Sequence, residues 1–96
     1  MNDSTYYIVR ADRAGVFAGN IKARDGDEVT MTNVRRIWYW DGAASLSQMA
    51  VDGVSKPQSC RFTVEVPEMT ILGVIEIIPC SKKAKRNIKG VPEWRA

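Results

Sequence analysis

Apolar and polar positions follow a strand-like pattern as far as Trp40, turn helical beyond it, alternate again near Phe62 and become helical once more after Pro79. Residues 5–10 (TYYIVR) are rich in β-formers, and Asp12-Arg13-Ala14-Gly15 has the composition of the turn that follows. Residues 16–24 run into Asp25-Gly26, a dipeptide favoured in tight hairpins because both central positions accept positive φ. A long third strand is predicted from residue 27 to 40. The first forty residues therefore read as an antiparallel meander of three strands.

Beyond Trp40, Ala43, Leu46, Met49, Ala50 and Gly53 share one helical face. Asp41 offers one N-cap for that helix, and Ser45 with Gln48 offers a capping box as the second option. Ser55-Lys56-Pro57-Gln58-Ser59 reads as a loop, after which Phe62, Val64 and Val66 alternate with Arg61, Thr63 and Glu65 in a half-buried strand ending at Pro67. Residues 70–78 are nearly all apolar and β-branched, as expected of a strand covered on both faces. Ser81 caps a last helix with Ala84 and Ile88 inward, Gly90 at its stop and Pro92 beyond, and Pro92-Glu93-Trp94 is expected to fold a ring back onto the body. The expected fold class is α+β: a mainly antiparallel β-sheet of about five strands with two short helices, in the order β-β-β-α-β-β-α.

With 96 residues, residues 1–96 form a single domain. A chain of this size buries roughly 60–68% of its unfolded surface, which points to a shallow ligand site or one shared between subunits of a homo-oligomer. The apolar run at Ile71-Leu72-Gly73-Val74-Ile75 is broken at Glu76 and falls far short of the ~20 residues a membrane helix needs. The first residues have neither a basic start nor an apolar core, so no secretory signal and no membrane partner are expected, and the cytoplasm is the expected compartment. Cys60 and Cys80 would be reduced there. The net charge of +3 is uneven: residues 81–96 hold six basic side chains against Glu93, while the first 80 hold eight basic and ten acidic ones.

The chain contains no histidine, which removes the usual general base and the commonest metal ligand. Two cysteines separated by nineteen intervening residues have no other soft ligand, and no P-loop, G-x-G-x-x-G or G-x-S-x-G motif occurs. Asp25-Gly26-Asp27-Glu28 lacks the spacing of a calcium loop and reads as a solvated hairpin tip. No enzyme activity, metal or cofactor is expected, and a binding protein fits better.

Two candidate sites follow. If the third strand is extended to its end, Arg36, Trp38 and Trp40 project to one face while Arg35, Ile37 and Tyr39 project to the other. Indoles stack on nucleobases and guanidinium groups grip phosphates. Amides at Gly42, Ala43 and Ala44, with the Ser45 hydroxyl, would open the next helix toward an anion. The predicted ligand site is thus Arg35, Arg36, Trp38, Trp40, Gly42, Ala43, Ala44 and Ser45, for an anionic small molecule such as a nucleotide. The competing reading makes the tryptophans part of the sheet–helix core and lets Asp41 occupy the amides. The second candidate is a phosphate-facing stripe of Lys82, Lys83, Lys85, Arg86 and Lys89 for nucleic acid, against which stands a merely solvated helix face.

The run Thr32-Asn33-Val34-Arg35-Arg36-Ile37-Trp38-Tyr39-Trp40, then Gly42-Ala43-Ala44-Ser45-Leu46-Ser47-Gln48, with Val74-Ile75-Glu76-Ile77-Ile78-Pro79 and Val91-Pro92-Glu93-Trp94, resembles a family of small proteins of tailed bacteriophages and prophages. The WYW-x-GAASL block is its most distinctive part. The resemblance implies a phage origin and action in the cytoplasm of an infected bacterium, and carries over no activity, cofactor or site residue. The expected function is non-catalytic binding of a host protein or an anionic nucleotide-type ligand, in the setting of counter-defence. The alternative is a small nucleic-acid-binding protein using the C-terminal helix.

Overall fold

The computed structural model describes residues 5–96. Its first three strands, β1 (Tyr7–Ala11), β2 (Gly15–Asp25) and β3 (Glu28–Tyr39), form the expected meander. The β2–β3 hairpin turns at Gly26, which takes a positive φ of 60°. Its ladder has two irregularities, and the register requires one extra residue on each strand: Lys22 on β2 and Asn33 on β3. Asn33 adopts φ 51°, a left-handed conformation that asparagine tolerates better than most residues. This bulge shifts the side-chain parity of β3: Val29 and Met31 face inward before it, Val34 after it.

Beside Asn33 the strands approach so closely that a Cβ on Gly19 would lie 2.9 Å from both the Thr32 carbonyl oxygen and the Val34 Cα. Only glycine fits there without backbone movement.

The far edge of β3 is occupied twice. β4 (Arg61–Phe62) pairs with its end, Ile37 opposite Phe62, and β5 (Val66–Ile71) pairs with its start, from Val34 opposite Val66 to Val29 opposite Ile71. β6 (Val74–Pro79) pairs antiparallel with the other edge of the meander, along β1. In a flat sheet four strand spacings, roughly 19 Å, would separate β5 from β6. The three chain steps from Ile71 to Val74 reach at most about 11 Å. The sheet is therefore rolled, and hydrogen bonds from the Asp12 amide to the Gly73 carbonyl and from the Val74 amide to the Asp27 carbonyl, each 2.9 Å, staple the roll shut at its turns.

This arrangement corrects two sequence expectations. Residues 70–78 are not one strand covered on both faces: they hold the end of β5, a turn in which Gly73 has φ 73°, and the edge strand β6. Nor does Pro67 end a strand. It lies within β5, tolerated because β5 sits at the edge of the sheet.

Helix α1 (Leu46–Asp52) starts later than Asp41. Ser45 is its cap, accepting from the Gln48 amide at 3.1 Å, while Gln48 Oε1 accepts from the Ala44 amide at 2.8 Å. Helix α2 (Lys82–Lys89) follows the sequence reading closely, with Ser81 as cap, Ala84 and Ile88 buried and Gly90 at its end. Asn87 ties the helices together, accepting from the Val54 amide at 2.8 Å and donating to the Val54 carbonyl at 2.9 Å.

The core has two layers. Val9, Phe17, Ile21, Met31 and Val34 fill the inside of the roll. Ile8, Ala18, Ile37 and Phe62 pack on its outside against Met49 and Ala50 of α1 and Ala84 and Ile88 of α2. The class is α+β, as the pattern predicted, with an antiparallel sheet of six strands because β4 and β5 are separate. Among the described residues no helix is long and apolar enough to cross a membrane.

Candidate ligand cleft on the inner face of the sheet

Where the roll is stapled, it leaves a mouth between the β1–β2 turn, the β5–β6 turn and the strands β3 and β5. The cavity there measures about 580 Å³, within the range of small-molecule sites. Phe17, Met69 and Ile71 form its apolar floor, Leu72 stands 64% exposed on one lip, and Asp12 and Arg13 stand on the other.

Arg36 enters this cleft from β3. It lies directly opposite Phe17 in the β2–β3 ladder, and its guanidinium carbon sits 4.6 Å from the Phe17 ring centroid, a cation–π contact. Nη1 donates to the Ala14 carbonyl, and the Arg36 amide donates to Thr63 Oγ1 at 2.9 Å. Among the described residues no carboxylate forms an ion pair with Arg36, and its Nε and Nη2 have no protein acceptor. A half-buried guanidinium over an apolar floor, with donors to spare, has the chemistry to pair with a carboxylate or phosphate.

The other predicted site residues lie elsewhere. Arg35, on the opposite face of β3, is only 3% exposed. Its Nε donates to the Thr63 carbonyl at 2.9 Å, Nη1 to the Ile88 carbonyl at 2.8 Å and Nη2 to the Phe62 carbonyl at 3.2 Å. Burial lowers its pKa, with Tyr6, Glu93 and Glu65 opposing the shift. Arg35 therefore fastens α2 and β4 to the sheet, with all three guanidinium nitrogens engaged by backbone carbonyls.

Trp40 does not continue the row begun by Arg36 and Trp38. It lies past the end of β3, packs against the helix-side core and donates from Nε1 to the Ala43 carbonyl at 3.1 Å. At the anion site expected from Gly42, Ala43, Ala44 and Ser45, two of the groups are engaged by α1 itself: the Ala44 amide donates to Gln48 Oε1 and the Ser45 hydroxyl accepts from the Gln48 amide, while the Gly42 carbonyl accepts from the Ser55 amide at 3.1 Å. Asp41 is no cap; its amide faces Cys60 Sγ at 3.4 Å.

On α2, Lys82, Lys83, Arg86 and Lys89 are exposed and Lys85 is half-buried. Lys83 faces Asp52 at 3.8 Å and Lys89 faces Glu65 at 3.4 Å, so part of the stripe is neutralised. Trp38 is exposed and stacks against Trp94, the ring that the chain end was expected to fold back.

Phe17 escaped the sequence reading, although a signal for it existed. Asp25 pairs with Glu28 across the hairpin turn, and counting back from that pair places Phe17 opposite Arg36. The two extra residues, one per strand, cancel, so the simple count holds.

The fold and the cleft together define a small α+β protein with a rolled antiparallel sheet, helices on its outside and an open ligand-sized mouth on its inside. The chain belongs to a family described as a domain of unknown function (DUF6948), which matches residues 4–88. That span contains the whole cleft and stops short of Trp94. No curated protein and no solved structure matches the chain.

Proposed function

We propose that this chain is a non-catalytic binding protein whose inner cleft captures an anionic small molecule of nucleotide type. One observation carries the reading: Arg36 offers unused donors at the floor of an apolar cavity and has no carboxylate partner among the described residues. A phosphate or carboxylate would take Nε and Nη2 as a bidentate pair, and the body of the ligand would cover Met69, Ile71 and Leu72. Arg13 adds a second cation at the lip. The lack of any histidine supports binding over catalysis.

The resemblance of the WYW-x-GAASL block to tailed-phage proteins supports a setting for this capture: the infected bacterium, where holding a signalling nucleotide or covering a host protein serves counter-defence. A second copy of the chain would enclose more of the ligand than the open mouth does alone.

Isothermal titration against nucleoside mono-, di- and cyclic phosphates tests the reading. Saturable heat with at least one of them, reduced tenfold or more in Arg36→Gln, is the expected result. Absence of heat with every member, or undiminished binding by a folded Arg36→Gln variant, would overturn it.

A further inference from the structure

The exposed end of β3 carries a second surface that does not involve the cleft. After α2, Val91 is buried, Glu93 bridges in parallel to Phe62, and the Trp94 amide donates to the Phe62 carbonyl at 2.9 Å. This path sets the Trp94 ring beside Trp38, their planes 5° apart and their centroids 6.2 Å apart. The two indoles nevertheless remain 46% and 60% exposed. Arg61, at the start of β4, places its guanidinium carbon 5.5 Å from the Trp94 ring centroid. Tyr39, opposite Arg61 in the β3–β4 ladder, is exposed as well.

Packing alone does not account for this arrangement. Full burial of an aromatic side chain contributes roughly 1.5–3 kcal/mol, and here two indoles forgo much of it while holding parallel planes at the surface. Apolar patches of this kind, rimmed by charge, mark interaction sites. The rim is positive: Arg61 has no ion pair among the described residues, Glu65, four residues further along the chain, faces Lys89 at 3.4 Å, and Glu93, beside Trp94, is held by Arg95 at 2.7 Å. Flat π-faces with an available cation complement a partner that is both planar and anionic. Unpaired bases meet that description, whereas a duplex hides its base faces within the stack.

We propose that Trp38, Trp94 and Arg61 form a platform for a short stretch of single-stranded nucleic acid, with bases stacked on the indoles and backbone phosphates held by Arg61. The platform needs neither Arg36 nor the α2 lysines. The test uses the full chain and fluorescein-labelled ten-nucleotide dT and rU oligomers, with a duplex of equal length, read by anisotropy at low and moderate salt. Saturable binding of a single strand, accompanied by quenching of tryptophan emission, is expected to exceed duplex binding. Trp94→Ala, which leaves the Trp94 backbone hydrogen bond in place, should weaken binding about tenfold or more, and Arg61→Gln should both weaken it and flatten its salt dependence. Arg36→Gln should bind as wild type does, which separates this proposal from the cleft. Failure of either oligomer to bind, equal affinity for duplex, or unchanged binding by a folded Trp94→Ala variant would overturn the platform. So would loss of binding on neutralising Lys82 and Arg86 while Trp94→Ala has no effect, because the contact would then belong to α2.

Discussion

Replacing Arg35 with methionine keeps most of the side chain's volume but removes three hydrogen bonds to backbone carbonyls beneath α2 and β4. The losses are unequal. The Phe62 carbonyl keeps the Trp94 amide as a donor, and the Ile88 carbonyl keeps the Val91 amide at 3.2 Å. The Thr63 carbonyl has no other donor among the bonds described, so the full cost of an unmet acceptor falls there, about 1–3 kcal/mol, while the other two lose about 0.5–1.5 kcal/mol each. Relief from burying a charge offsets part of this, since burial already disfavours the charged form of Arg35. The net expectation is a loss of about 3 kcal/mol. With a urea slope of about 1.5 kcal/mol per molar for a chain of this size, the midpoint should fall by about 2 M at constant slope. The adjacent Arg36→Met variant is the internal control: its guanidinium makes one hydrogen bond to backbone and one cation–π contact with Phe17, and a loss of about 1.5 kcal/mol, half that of Arg35→Met, is expected. Equal midpoints for the two variants, or an Arg35→Met midpoint within about 0.3 M of wild type, would refute the separation of the arginine pair into a structural and a binding residue.

Gly19→Ala should cost about 2 kcal/mol in the same assay, because its Cβ would meet Thr32 and Val34 backbone at 2.9 Å; a neutral effect would mean that the bulge relaxes freely. Ser45→Ala should cost about 1 kcal/mol by removing the cap of α1, and no loss would deny Ser45 that role. Burial pushes the Cys80 thiol up to about 11 from an ordinary 9.0, against a backbone hydrogen bond at Ile8, and it raises the Tyr6 hydroxyl well above its usual range. Both groups favour the folded state while protonated, so that stability is complete below their unfolded values and lost as pH rises through the folded ones. Urea midpoints should therefore fall between about pH 9 and 11, less steeply in Cys80→Ala, whereas a level curve would contradict the assignment.

Local signals carried much of this fold. Asp25-Gly26 marked the hairpin, and Ser81, Ala84, Ile88 and Gly90 marked α2 almost to the residue. Other features depend on contacts between distant segments. Residues 70–78 look continuous because both flanks of Gly73 are apolar, and only the need to close a rolled sheet turns the chain there. Strand alternation put Arg35 and Arg36 on opposite faces, but it held no information on which face the helices would seal. The choice between Asp41 and Ser45 as helix cap was open in the sequence, and with Ser45 chosen its hydroxyl and the Ala44 amide are taken up within the helix's own capping box. Trp94 was expected to return to the body; its parallel stacking on Trp38 follows from the Phe62–Glu93 bridge, which no local pattern announces.

The central claim is that an anion docks on Arg36 within the rolled sheet. A 1H–15N correlation titration with ADP, observing backbone amides and the Arg36 Nε–H resonance, tests it most directly. Saturable shifts of that resonance, and of amides at Asp12, Ala14, Met69 and Leu72, are predicted. Shifts confined to residues 42–48 or to α2, or an unmoved Arg36 Nε–H at saturation, would contradict it.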